Sequence, residues 1–180
     1  MPVTAAHVRT MLNDYLDARP DEKPLLAPLT ELLDAEADVT SRKEFRGHVT
    51  AGAILADPDG RILHIRHRAL NRWLLPGGHL ESEDTGLLTA AQRELTEETG
   101  IPASVVTPAG HLPIHIDAHR IPANQAKEEP EHHHFDFRFL FRTSADVVEL
   151  QTEEVTAAAW HAADTITDVP LRDQVLRALR

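Results

Sequence analysis

Apolar positions at Val8, Met11, Leu12, Tyr15 and Leu16 recur three and four residues apart behind Thr4, so the chain is predicted to open with a helix capped by that threonine. Pro20 and Pro24 interrupt the pattern, and Leu25 to Leu33 resumes it as a second short helix. The next stretch, His48 to Ala56 (HVTAGAILA), is nearly continuous in apolar residues and reads as a buried strand. Asp57-Pro58-Asp59-Gly60 is a turn, and Arg61 to Arg68 alternates as a second strand. Ile62, His64 and Arg66 fall on one of its sides, and Leu63, Ile65 and His67 on the other.

A loop, Ala69 to Arg72, leads to Trp73-Leu74-Leu75-Pro76-Gly77-Gly78. Its glycines allow a tight turn and let backbone carbonyls come close to a ligand. Leu87, Leu88, Ala91 and Leu95 then give a helix an apolar stripe, with Asp84 or Thr85 as its cap and Gly100 and Pro102 as its stop. Ala109 to Ile121 reads as an irregular strand. In HHHFDFRFLFR, Phe135, Phe137, Phe139 and Phe141 alternate with polar residues, so His132, His134, Asp136 and Arg138 share the face away from the core. A last strand spans roughly Val155 to His161, and Asp168 and Pro170 open a terminal helix with Leu171, Val175, Leu176 and Leu179 inward. This mixture without strict βαβ repetition predicts an α/β sandwich around a mixed sheet. Residues 1–45 form a helical extension packed on a main domain of residues 46–180, being too short to bury a core alone.

Composition narrows the function classes. Hydrophobic residues make up 42% and charged residues 26% of the 180, as in ordinary globular chains. No apolar run approaches the ~20 residues of a membrane span, and the amino terminus lacks a secretory pattern. The absence of cysteine excludes disulfides and thiol chemistry and fits a cytoplasmic protein. A formal net charge of -11 argues against nonspecific binding to nucleic acid or an anionic membrane. An anionic ligand would therefore need metal ions or local arginines.

Such a metal site is suggested by Glu94, Glu97 and Glu98, which share one helix face at a spacing where like charges repel. A hard divalent cation with oxygen ligands relieves that repulsion; a solvated charged face is the alternative. His132, His134 and Asp136 have the alternating spacing to hold a metal or a phosphate from one strand, or to serve as hydrogen-bonders on a polar sheet face. Trp73 can stack on a base or pack beside its turn, and Arg66 can grip a phosphate or lie on a solvated edge.

The stretch from Gly78 to Ile101 resembles the signature of the Nudix hydrolase family: glycine, five residues, glutamate, seven residues, then Arg-Glu-aliphatic-x-Glu-Glu-x-Gly-aliphatic. The second half matches at every specified position from Arg93 to Ile101. The first half departs twice: Asp84 replaces the glutamate, and eight residues rather than seven separate it from Arg93. Those departures put in question whether Asp84 or Glu83 braces the loop. HVTAGAILA, WLLPGG and HHHFDFRFLF extend the likeness beyond the signature.

The resemblance implies a Nudix-type α/β/α sandwich and metal-dependent hydrolysis of a pyrophosphate bond in a nucleoside diphosphate linked to another group. It implies Mg2+, or Mn2+, held by Glu94, Glu97, Glu98 and the Gly77 carbonyl, with Arg93 fixing a carboxylate rotamer. Arg66, Trp73, His132, His134, Asp136 and Glu154 are the candidates for contacting substrate. The general base stays open among Glu97, Glu98, Glu153 and Glu154. The implied partner is a small-molecule nucleotide rather than nucleic acid or membrane, and a homodimer is compatible with this. A non-catalytic nucleotide-binding regulator is the alternative, although it ordinarily goes with eroded carboxylates. An isoprenoid diphosphate isomerase of this fold uses a cysteine, which this chain lacks.

Overall fold

Thr4 accepts a hydrogen bond from the His7 N–H and starts α1 (Ala5–Ala18), as its position predicts. The computed structural model describes residues 1–145 and 155–180, apart from the side chain of Lys127. Pro24 lies in the first turn of α2 (Lys23–Asp34), where a missing N–H costs nothing, and the helix continues through Pro28. Val8, Leu12, Tyr15 and Leu16 of α1 and Leu26, Leu29 and Leu33 of α2 are buried.

The strands follow as β1 (His48–Ala56), β2 (Arg61–His67), β3 (Arg72–Leu74) and β4 (Gly77–His79). After α3 (Leu87–Thr99) come β5 (Thr107–Pro108), β6 (His115–Ile121), β7 (His132–Arg142), β8 (Val155–Ala162) and α4 (Val169–Ala178). They form one mixed sheet in the order β3-β2-β1-β7-β5, with β4 on β1, β6 on β7 and β8 on β2. β1 runs parallel to β7 over its whole length, and every residue of β1 is buried, which explains its continuous apolar sequence. Helices cover both faces, giving the α/β/α sandwich with the N-terminal helices added to it.

Two cores result. On one face α1, α2 and α3 pack with Val49, Ala51, Ala53, Phe135, Phe137, Phe139 and Phe141. On the other, Leu171 and Val175 of α4 pack with Ile54, Ala56, Ile62 and Leu140. The N-terminal helices join the first core through more than apolar contact. Tyr15, fully buried, donates to a Glu22 oxygen at 2.6 Å and accepts from the Ile116 N–H at 3.3 Å. The Val3 N–H donates to the Asp84 carbonyl at 2.9 Å.

Three sequence expectations are corrected. The strand expected over Ala109–Ile121 is confined to His115–Ile121, with the two-residue β5 before it. Gly110 and Pro113 lie between them, and proline cannot donate to a ladder. Gly77 and Gly78 are not a turn but belong to β4, paired antiparallel with Gly52 and Ala51. Neither Asp84 nor Thr85 caps α3: the cap is Gly86, and the Leu87 N–H points at His7 Nε2 at 3.4 Å. Asp84 is occupied elsewhere.

Candidate active site

The last turns of α3 lie against β4, and two glycines make that approach close. A Cβ on Gly77 would stand 2.8 Å from the Ala51 carbonyl oxygen and 2.8 Å from the Gly52 Cα. One on Gly78 would stand 2.6 Å from Glu94 Oε1. Gly100, in the left-handed conformation at φ 69°, then stops the helix with its N–H on the Thr96 carbonyl at 2.8 Å.

The three glutamates are not equivalent. Glu98 is buried and accepts from the Gly77 N–H at 2.9 Å. Glu94 is mostly covered, and burial pushes its carboxyl up to about 7, against the opposing pull of Arg93 and with help from Glu97 and Glu81. Glu97 keeps 52% of its side chain exposed.

Arg93 ties this end of the helix together. Its Nη1 donates to Glu94 at 3.0 Å and to Glu97 at 2.8 Å, and its Nη2 to the His79 carbonyl at 3.0 Å. Nε and Nη2 form a two-pronged pair with Asp84 at 3.0 and 2.9 Å. Asp84 also accepts from the Glu81 N–H at 2.8 Å. Burial alone would raise the Asp84 carboxyl; the Arg93 bonds and the Glu81 N–H outweigh it and hold the carboxyl below its usual range. Asp84 therefore braces the loop to the helix despite the extra residue between them.

The other sequence candidates divide. Arg66 is exposed and donates twice to Asn71 Oδ1, at 3.1 and 2.8 Å. Trp73 pairs with Arg66 across β2 and β3, is 41% exposed, and has its ring centroid 5.3 Å from that of His161. His132 and His134 are brought together, Nε2 to Nε2 at 3.2 Å. Asp136 lies within 4.8 Å of a His134 nitrogen and accepts from Thr50 Oγ1 and, at 3.0 Å, from Arg138. Glu154, with Glu149 and Glu153, lies outside the described residues.

Sequence reasoning left out His48, Asp117 and His119, and gave His79 no more than a place at a cleft entrance or on the surface. Register puts His48 beside His134 and Thr50 beside Asp136, His79 beside Thr50, and His119 and Asp117 beside His134 and Asp136. All stand on the face opposite the phenylalanines. Burial, reinforced by the neighbouring histidines, pushes His134 down to about 3; burial and Arg42 push His79 down to about 4. His119 moves the other way because the Asp117 carboxylate lies 3.1 Å from its Nδ1.

Two chemistries are on offer. Three carboxylates beside a glycine strand are hard oxygen donors, and Glu94, whose charge is disfavoured by burial, is a group that a dication would stabilise. Among the described residues, the groups with three donor atoms within 4.8 Å of one another are His48/His79/His134, His119/His134/Asp136 and His115/Asp117/Asp168. The glutamate trio is not so gathered, because Arg93 holds Glu94 and Glu97 while the Gly77 N–H holds Glu98.

A family profile for the NUDIX domain matches residues 46–179. The "Probable DHNTP pyrophosphohydrolase" of Lactococcus lactis subsp. cremoris (strain MG1363) is 30% identical over 146 residues, 78% of this chain and 81% of that protein. The "m7GpppN-mRNA hydrolase NUDT17" of Danio rerio is 29% identical over 163 residues, 83% of this chain but only 54% of that longer protein. The structure of the E. coli dihydroneopterin triphosphate pyrophosphohydrolase aligns with a TM-score of 0.54 at 16% identity, over 72% of this chain and 92% of that one.

Proposed function

The chain belongs to the Nudix family of hydrolases, and from that premise we propose that Glu94, Glu97 and Glu98, with Gly77, hold Mg2+ for attack on a substrate's pyrophosphate. The protein is a pyrophosphohydrolase of nucleotide derivatives, in a family that generally needs a divalent metal. The observation that carries the assignment of residues is the end of α3 pressed on β4: Glu98 on the Gly77 N–H, and Glu94 where a Cβ of Gly78 would stand.

When bound, the metal neutralises phosphate charge and lowers the pKa of a coordinated water. The chain's own residues set the stage for this. Arg93 fixes the rotamers of Glu94 and Glu97, and Asp84 fixes Arg93. Glu98 is anchored by a backbone N–H, so its second oxygen keeps a defined direction. Glu97, the one with half its side chain in solvent, is the carboxylate able to accept a proton at Oε from the attacking water and return it to bulk.

The relative from Lactococcus suggests the leaving head group: a heterocycle on a triphosphate, with dihydroneopterin triphosphate as the first compound to test. Trp73 and the Arg66 paired with it across β2 and β3 would contact such a ring and its phosphates. The charge of -11 supports a small-molecule partner rather than nucleic acid or membrane, and the cysteine-free composition supports the cytoplasm. Among the described residues no helix is long and apolar enough to cross a membrane.

The test is release of phosphate and pyrophosphate from pterin and nucleoside triphosphates, nucleotide sugars and modified nucleotides with Mg2+. Glu97→Gln and Glu98→Gln are each expected to lower kcat by more than about 100-fold with the fold retained. Undiminished turnover in both variants would refute the assignment. Tight nucleotide binding with no turnover by the wild type would favour the regulator.

A further inference from the structure

The polar face of the sheet carries donors that hydrolysis through the glutamates does not use. His48, His79 and His134, from β1, β4 and β7, each bring a ring nitrogen to within 4.8 Å of the others. Their ring centroids are 4.6 to 5.2 Å apart, and His132 stacks on His48 at 5.0 Å. The backbone sets the tautomer of two of these rings. His48 Nδ1 faces the Glu44 carbonyl at 3.3 Å and so carries the proton, leaving Nε2 as a lone pair. That Nε2 is buried with no hydrogen-bond partner, in a residue 1% exposed. His132 Nδ1 likewise donates to the Pro130 carbonyl at 2.7 Å, which directs its own Nε2 lone pair at His134. An imidazole whose outer nitrogen is tied to a carbonyl while the inner one lacks a partner is arranged as a metal ligand is.

His134 closes the group from the third strand, its Nε2 3.2 Å from that of His132. The competing groups have their oxygens engaged. Asp136 is taken by Thr50 and Arg138, Asp117 by Arg138 at 3.3 Å, and Asp168 caps α4 at Leu171. Nearby charge partly compensates a cation, since Glu129 acts favourably on His48 and His79, while Arg42, which pairs with Glu129 at 3.4 Å, acts against it.

We propose that His48, His79 and His134 bind a borderline divalent transition-metal ion such as Zn2+, with His132 as an adjoining fourth donor. Nitrogen donors select such an ion over Mg2+, which prefers the oxygens of the glutamates. The two sites adjoin through β4, since His79 follows Gly77 and Gly78 and its carbonyl accepts from Arg93. This second site does not depend on the hydrolytic assignment.

The experiment uses untagged, chelator-stripped full-length protein titrated with Zn2+ and Co2+ under excess Mg2+. One equivalent of zinc is expected to be retained, and cobalt is expected to give the intense visible absorption of a four-coordinate nitrogen site. His79→Ala and His134→Ala should each weaken zinc binding by at least about 100-fold, the upper end of what disturbing a ligand's support alone costs. Glu98→Gln should leave binding unchanged. X-ray absorption of the wild-type zinc complex should show imidazole scattering, and this decides the matter if the histidine variants do not fold. Loss of all zinc to excess Mg2+, a weak octahedral cobalt spectrum, an oxygen-only shell, or binding that falls with Glu98→Gln but not with the histidines would each overturn the proposal.

Discussion

Replacing Asp84 by asparagine tests the brace directly. The carboxylate is 4% exposed and accepts three hydrogen bonds, two from Arg93 at 3.0 and 2.9 Å and one from the Glu81 N–H at 2.8 Å. Asparagine keeps one acceptor oxygen, and its amide group must face a guanidinium that can only donate. A hydrogen bond to a charged group contributes about 1.5–3 kcal/mol, and breaking a buried pair costs about 3–5 kcal/mol. Arg93 retains Glu94, Glu97 and the His79 carbonyl as acceptors, so the lower part of this span applies, about 2 kcal/mol. For a chain of 180 residues that corresponds to a fall in Tm of about 4–8 °C.

The same carboxyl gives the loss a pH signature. Its folded pKa lies below the unfolded 3.8, so its contribution is fully present above that value and vanishes as pH falls through the folded one. Urea denaturation of wild type and Asp84→Asn should therefore show a gap at pH 7 that closes on acidification below about pH 4. Equal stability at pH 7, or a gap as wide at about pH 2 as at pH 7, would refute the reasoning.

Gly78→Ala places a methyl 2.6 Å from Glu94 Oε1, so it should lower kcat by more than about 10-fold while urea stability changes by less than about 1 kcal/mol, because the displaced atom ends a side chain. Tyr15→Phe removes the acceptor of the buried Ile116 N–H and the donor to Glu22, and chemical denaturation should show a loss of about 1–3 kcal/mol with KM unchanged.

The sequence revealed elements wherever a single periodicity decides them. The all-apolar run of β1, the phenylalanine alternation of β7 and the capping Asp168 of α4 are local patterns, and each element formed where its pattern lies. The strand before β6 failed because Gly110 and Pro113 break the ladder inside an otherwise apolar stretch. The carboxylates of α3 were legible because helical spacing alone puts them on one side. The role of Asp84 was not, since a cap and a brace look alike in sequence and only the position of Arg93 nine residues later separates them. The grouping of His48 and His79 was missed for a related reason. Their meeting with His134 depends on the parallel register of β1 and β7 and on glycines forming a strand, and neither is a local property.

That register also explains why polar chemistry gathers at one end of one sheet face. Along the paired strands, His48/His134, Thr50/Asp136, Gly52/Arg138 and Ile54/Leu140 succeed one another on the same side. The last pair lies under α4, and polarity begins at Gly52, where a Cβ would meet Arg138 and the Pro76 carbonyl. For folding alone, an apolar continuation under a longer helix would serve better. Buried histidines whose pKa is depressed take up more protons when unfolded, so they subtract stability as pH falls from their usual 6.5 towards about 4. A set of such groups beside the carboxylates of α3 therefore costs stability as pH falls, and a metal ion bound to them would offset that cost.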